Sequence, residues 1–401
     1  MKRARATQGA RANVREFLQQ ESASAVVLVC ATATALLWAN LAPQSYSDVW
    51  SRAVRLGPAN WRLDFELATW VADAVMAAFF FVVGLEIKRE LTEGELSDPR
   101  VAAVPIAAAC GGVVVPIVLF FLIAGTGDNS RGWAIPMATD IAFAQAALML
   151  LGNRVERSAR LFLLTLAIVD DILAIAVIAL FFGKHVSLTW LLAAVATVLG
   201  AVALRRARVA WMWPYLLVGA FGWYFTLRAG VHPTISAVAF GLLCPALDPR
   251  GRPLLDRLIH RVHPWSAFVA LPLFAVSHAG ITLNADTLSS MAGSSLTWGI
   301  VVGLVVGKPV GICLGAATAR RAGGRVVEDL TSRTILIVGA LAGVGFTVAL
   351  FVAPLALSGT DLEQATGGVL LASILAVVLG SVITRLPASQ ATAPESEPEP
   401  S

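Results

Sequence analysis

Residues 161–182 read LFLLTLAIVDDILAIAVIALFF, an apolar run that carries two adjacent acids, Asp170 and Asp171, at its middle. A helix rises about 1.5 Å per residue, so about 20 apolar residues cross a hydrocarbon layer of about 30 Å, and this run is long enough. An acid at the centre of such a helix costs about 2.5–3.5 kcal/mol to insert, while each Leu, Ile, Phe or Val returns about 0.3–0.6. The fifteen residues of those four types return roughly 7 kcal/mol against roughly 6 for the two acids. Insertion is nearly cancelled, so the acids belong on a face turned away from lipid, toward a bundle interior or a water-filled path. A structural salt bridge or a protonated, hydrogen-bonded pair is the plainer reading, and an ion or proton pathway the sharper one.

The rest of the chain sets that run in context. Of 401 residues, 57% are hydrophobic and 14% charged, with a mean hydropathy of +0.75. Soluble chains carry about 25% charged residues, so this is the composition of a membrane protein. Twelve runs qualify as spans: 23–41, 67–86, 101–124, 133–151, 161–183, 188–204, 210–227, 232–246, 265–282, 297–319, 333–353 and 365–384. None alternates as a membrane barrel strand must, so the expected fold is all-α, a polytopic membrane helical bundle of about 12 transmembrane helices. Lys and Arg alternate in register with this count. Twenty-three of the thirty lie at the N-terminus, in even-numbered connections and at Arg385; six (Arg52, Arg55, Arg62, Arg131, Lys184, Arg228) lie on the other side, and Lys308 is inside a span. Both termini are therefore expected in the cytoplasm. The scattered bases give no nucleic-acid signal. The four cysteines are isolated in apolar runs and imply neither disulfide nor metal site.

The expected organisation is a cytoplasmic N-terminal segment (1–20), a transmembrane domain (21–386) and a disordered Pro- and Glu-rich tail (387–401). Near 52–66 on the outer side, VRLGPANWRLDFEL alternates Trp61, Leu63 and Phe65 with polar residues after a turn signal, which suggests a small hairpin. It either takes a partner or lies on its own bundle.

Other polar residues recur inside the spans. Thr139 and Asp140 sit in the fourth, Lys308 in the tenth and Asp73 in the second. Neighbours on a helix point about 100° apart, so Asp170 and Asp171 need different partners, one toward Lys308 and the other, with Asp140, toward a cation. Pro136 lacks a donor, so the fourth span is expected to unwind before its acid. Gly343 and Gly345, with Thr347 after them, weaken the eleventh span or let it pack closely. Two interrupted spans at matching places in two repeats, spans three to five and ten to twelve, point to a transport site between inverted repeats.

These stretches resemble the NhaA family of bacterial Na⁺/H⁺ antiporters. The resemblance is carried by DAVMAAFFFVVGLEIKREL, GWAIPMATDIAFA, LAIVDDILAI, GVHPTISAV, HPWSAFVALPLFA, GLVVGKPVGI and AGVGFTVALF, from about residue 23 to 385. The inverted-repeat rule was itself drawn partly from this family, so the rule and the resemblance are not independent. The resemblance implies broken, crossing helices 4 and 11, and Na⁺ or Li⁺ export against protons by alternating access in the bacterial inner membrane. It implies that Asp171 binds the metal ion with Asp140 nearby and Thr139 at the break, while Asp170 pairs with Lys308, so that cation and proton share Asp140, Asp170 and Asp171. It further implies a homodimer, and pH sensing by Glu86, Arg89, Glu90, His260 and His263, although a solvated loop is the plainer reading of the two histidines. Asp73, Gly343, Gly345 and Thr347 are expected to support the site. Ile259 stands where the family pattern has an acid and His278 where it has Asn, so the pH set-point does not carry over. No cofactor is implied. A proton-coupled carrier of a small organic anion, using Lys308, is the alternative within transport. A channel would need a continuous pore rather than helix breaks, and no nucleophile elbow, phosphate loop or metal-binding cluster suggests an enzyme.

Overall fold

Backbone N–H and C=O groups in hydrocarbon must find partners within the protein, and these apolar runs do so as helices. The computed structural model describes residues 23–151, 157–183, 186–207, 209, 212–247, 251–324 and 330–386. The expected N-terminal segment 1–20 and the tail 387–401 lie outside the described residues, as do the connecting bases Arg154, Lys184, Arg208, Arg250 and Arg325.

The chain begins with α1 (Ala23–Leu41), α2 (Pro43–Trp50), a hairpin of β1 (Ala53–Arg55) and β2 (Asp64–Glu66), α3 (Leu67–Glu93) and α4 (Pro99–Ala124). A 3-10 segment, Asp128–Met137, leads into α5 (Ile141–Leu150), followed by α6 (Arg157–Phe181), α7 (Leu188–Arg206), α8 (Met212–Arg228) and α9 (Thr234–Leu243). Next, α10 (Leu254–Trp265) continues through a π turn, Ser266–Ala270, into α11 (Leu271–His278). The chain closes with α12 (Ala285–Gly293), α13 (Ser295–Arg321), α14 (Ser332–Ala342), α15 (Phe346–Ala356) and α16 (Gly359–Arg385).

This is a multi-pass helical membrane bundle, and each of the twelve apolar runs contains helix. Among the described residues seven helices are long and apolar enough to cross a bilayer, and α14 with α15, bent by 47°, make an eighth span. The other four runs are shorter or interrupted: the fourth span, α8, the ten-residue α9, and the α10–α11 pair. Two details differ from the sequence reading. The first part of the fourth span is a 3-10 segment, which includes Pro136. The helix before the ninth span starts at Leu254, because LLDRLIHRVH is amphipathic and buries Leu255 and Ile259 one turn apart. His260 and His263 therefore lie on a helix and not on a loop.

Helices α4 and α13 form the spine. Gly303, Gly307, Gly311 and Gly315 recur every fourth residue, and this face of α13 meets Pro116, Gly111 and Ala107 of α4 in descending order, so the two helices are antiparallel. A Cβ on Gly311 would strike the carbonyl of Gly111, and one on Gly315 that of Ala107. Close backbone approach of this kind is what small residues at four-residue spacing permit in membranes. Each spine helix is followed by a broken span and then by a long helix, α6 or α16, as the two repeats require. The apolar window of α6 is 61% buried and that of α7 11%, so the acid-bearing helix is central and α7 peripheral.

The hairpin forms as expected, with Val54 opposite Phe65 in an antiparallel pair. Its apolar face is smaller than the alternation suggested, since Trp61 sits in a turn and is exposed while Leu63 is buried. Arg62 takes a left-handed φ of 54° there, which ends the alternation. The hairpin is tied to its own bundle: Trp70 Nε1 donates to the Val54 carbonyl at 2.8 Å, and Arg228 donates to the Trp61 carbonyl at 3.2 Å.

Candidate functional site at the crossing of two broken spans

The two breaks meet. Residues 138–140 are extended between the 3-10 segment and α5, and residues 343–345 separate α14 from α15. The Asp140 N–H donates to the Val344 carbonyl at 2.7 Å, and Thr139 Oγ1 donates to the Ala342 carbonyl at 2.9 Å. Each break thus satisfies backbone groups that the other exposes, as a polar segment in a buried place must.

Asp140 binds two helix starts at once. Its Oδ1 accepts from the Phe143 N–H at 2.9 Å, capping α5, while its Oδ2 accepts from the Thr347 N–H at 3.0 Å and the Thr347 hydroxyl at 2.5 Å, at the start of α15. Helix N-termini carry partial positive charge, so a carboxylate between two of them is stabilised. Gly345 lies close to the Ala138 carbonyl, and a Cβ there would sit 3.2 Å from that oxygen, a tight contact.

Asp170 and Asp171 part company as neighbours on a helix must. Lys308 Nζ donates to both oxygens of Asp170, at 2.8 and 2.9 Å, with Lys308 only 1% exposed. The preceding π turn at Gly303–Gly307 leads directly into Lys308. Asp171 is equally buried, but among the described residues its Oδ2 has no hydrogen-bond partner. The charges acting on it are Asp170, Glu86, Asp140 and Lys308. A buried carboxylate oxygen with open lone pairs, beside a second carboxylate and an already neutralised ion pair, is suited to a small hard cation or a proton.

The structure therefore brings together Thr139, Asp140, Asp170, Asp171, Lys308, Gly343, Gly345 and Thr347. It does not bring Asp73 to this group. Asp73 lies in a π turn, Val71–Val75, and pairs with His232 Nε2 at 3.3 Å, while its carbonyl accepts from Trp223 Nε1 at 2.8 Å. Membership of the second span alone could not fix its depth or direction.

The residues expected to sense pH lie where the end of α3 meets α10. Arg89 acts on both Glu86 and His263, and His260 is a further neighbour of His263. Burial first, then Arg89 and His260, lower the pKa of His263, so it is held neutral, and stability is lost as pH falls below the ordinary histidine value. Ile259, where the resemblance implies an acid, packs with Leu85, Cys244 and Leu255 in a small apolar cluster. His278 stacks on Phe274 with ring centroids 4.3 Å apart, and its Nδ1 lies 2.6 Å from Ser277 Oγ.

Two residues at this rim, Glu95 and Thr165, escape the sequence reading. Both meet Glu90, which is buried: its Oε1 accepts from the Glu95 N–H at 2.8 Å and lies 3.3 Å from Thr165 Oγ1, which is also 3.3 Å from Glu95 Oε2. Burial and the Glu90 charge raise the pKa of Glu95, against the opposing Thr165 hydrogen bond. Thr165 is the only other polar residue of the quoted run, and it stands five residues before Asp170 on the same helix.

Known proteins resemble this chain along nearly its whole length. A family model described as Na⁺/H⁺ antiporter 1 matches residues 15–384. The chain is 42% identical to a protein named Na(+)/H(+) antiporter NhaA from Frankia casuarinae over 384 residues, covering 93% of this chain and 87% of that one. It is 40% identical to the NhaA of Cronobacter sakazakii, covering 94% and 98%, and 41% identical to that of Yersinia pseudotuberculosis, covering 93% and 96%. These relatives are named as transporters and not as enzymes. With the match spanning nearly its whole length, the chain belongs to the NhaA family of Na⁺/H⁺ antiporters.

Proposed function

We propose that this chain exchanges Na⁺ or Li⁺ for protons at the crossing, with Asp171 and Asp140 as the carboxylates for which cation and proton compete. The observation that carries this reading is the buried Asp171 oxygen that has no hydrogen-bond partner among the described residues, beside Asp140, on a helix whose other acid is already neutralised by Lys308. Thr139 and carbonyls freed at the breaks supply further hard oxygens. Protonation releases the ion to one side, the bundle rearranges, and deprotonation on the other side admits the next, so Na⁺ leaves as protons enter. If more than one proton moves per cation, exchange is electrogenic and driven by the membrane potential. Placement in the inner membrane is what the family resemblance implies, and the alternation of Lys and Arg supports cytoplasmic termini. Regulation by pH through the α3–α10 rim and homodimerisation complete the proposal.

The organic-anion alternative relies on Lys308, but a lysine engaged by both oxygens of Asp170 has little left to offer an anion. The test is Na⁺-induced proton movement in sealed vesicles of reconstituted protein. Asp171→Asn is expected to abolish it. Exchange retained in that variant overturns the site assignment, and uncoupled current in the parent protein overturns the carrier reading.

A further inference from the structure

The two carboxylates of the crossing are not equally available. A carboxylate offers two oxygens and about four acceptor positions. Both positions of Asp140 Oδ2 are filled by Thr347, from its N–H at 3.0 Å and its hydroxyl at 2.5 Å, and Oδ1 is partly filled by Phe143. Among the described residues Asp171 Oδ2 has no hydrogen-bond partner. Thr347 is only 1% exposed and is the second residue of α15, so its N–H is fixed by the helix while its hydroxyl can rotate about χ1. A hydroxyl donating to a carboxylate is a charge-assisted bond, roughly twice as strong as a neutral one.

We propose that the Thr347 hydroxyl competes with the transported cation for Asp140 Oδ2 and thereby sets the protein's cation affinity. An ion held first by Asp171 gains Asp140 Oδ2 as a ligand only when the Thr347 hydroxyl turns away; the backbone N–H stays and keeps α15 docked. Thr347 in this role weakens binding enough for release, and a tighter site turns over more slowly. The inference rests on Asp140 and Asp171 being the exchange site.

Thr347→Val keeps the shape and branching and removes only the donor. With purified protein in vesicles, the Na⁺ concentration for half-maximal exchange is measured at the alkaline end of the activity range, where proton competition is least. It is expected to fall about tenfold, which corresponds to about 1.4 kcal/mol of lost competition. Thr347→Ser, which keeps the hydroxyl, is expected to stay near the parent. A half-saturating concentration that is unchanged or higher in Thr347→Val overturns the proposal, the latter by making the hydroxyl a ligand. Stabilisation by Na⁺ against thermal unfolding of the purified protein gives the same comparison where Thr347→Val is too weakly expressed for transport, with Thr347→Ala as the second hydroxyl-free variant. Asp171→Asn in the same vesicles separates the two failures: if it retains exchange, the site itself is wrong, whereas if it is inactive and Thr347→Val is unchanged, only the role of Thr347 falls.

Discussion

The crossing and the α3–α10 rim both gather ionisable side chains, yet they resolve them in opposite ways. At the crossing Lys308 meets Asp170 and two helix starts meet Asp140, while among the described residues one oxygen of Asp171 has no partner. At the rim Glu90 and Glu95 share a single threonine hydroxyl, and His263 has Arg89 and His260 beside it, which are like charges when it is protonated. A matched set leaves one open acceptor for chemistry. In the mismatched set folding raises the proton affinity of Glu95 and lowers that of His263.

The largest expected break in this contrast is Lys308→Ala. Removing one partner of a buried pair leaves an uncompensated charge and costs about 3–5 kcal/mol. Unfolding titrations in detergent check this, and adding Asp170→Asn to the same chain is expected to recover most of the loss. If the single variant is as stable as the parent, the pair does not neutralise α6.

A smaller effect is expected from Thr139→Val, which strips the Ala342 carbonyl of its donor at the crossing and costs about 1–3 kcal/mol. The same titration measures it. A loss no greater than that of an exposed Thr→Val would mean that the two breaks do not support one another.

The smallest and most selective change is Glu95→Gln at the rim. A carboxyl whose proton affinity is raised by folding stabilises the folded state at acid pH, and that contribution is lost as pH rises through its folded pKa. Thermal midpoints followed from acid to neutral pH are expected to fall less steeply in the Gln variant than in the parent. Parallel curves would show that Glu95 does not report on Glu90.

Much of the crossing is legible in the sequence. Asp170 and Asp171 cannot face the same way on one helix, and Pro136 cannot close a helical turn, so a split pair and a break are forced by covalent geometry. Which acid meets Lys308 comes from family resemblance, because spacing alone permits either. Asp73 falls outside the expected group because a span gives depth only loosely, and its partner His232 lies 159 residues away in the chain. The rim is harder to read. The helix containing His260 and His263 begins eleven residues before the apolar run, since hydropathy registers lipid-facing residues and misses an amphipathic helix that covers a neighbour. Glu95 and Thr165 escape because a long-range hydrogen bond leaves no periodic trace.

The glycine spine has a consequence for biogenesis. Gly111 and Gly311 touch across two hundred residues of chain. At about 5–20 residues per second, the ribosome delivers α13 roughly ten to forty seconds after α4. For that interval the Gly- and Pro-lined groove of α4 is in the bilayer without the surface it was shaped to meet, and a lipid chain or an insertion factor must shield it until the second half arrives.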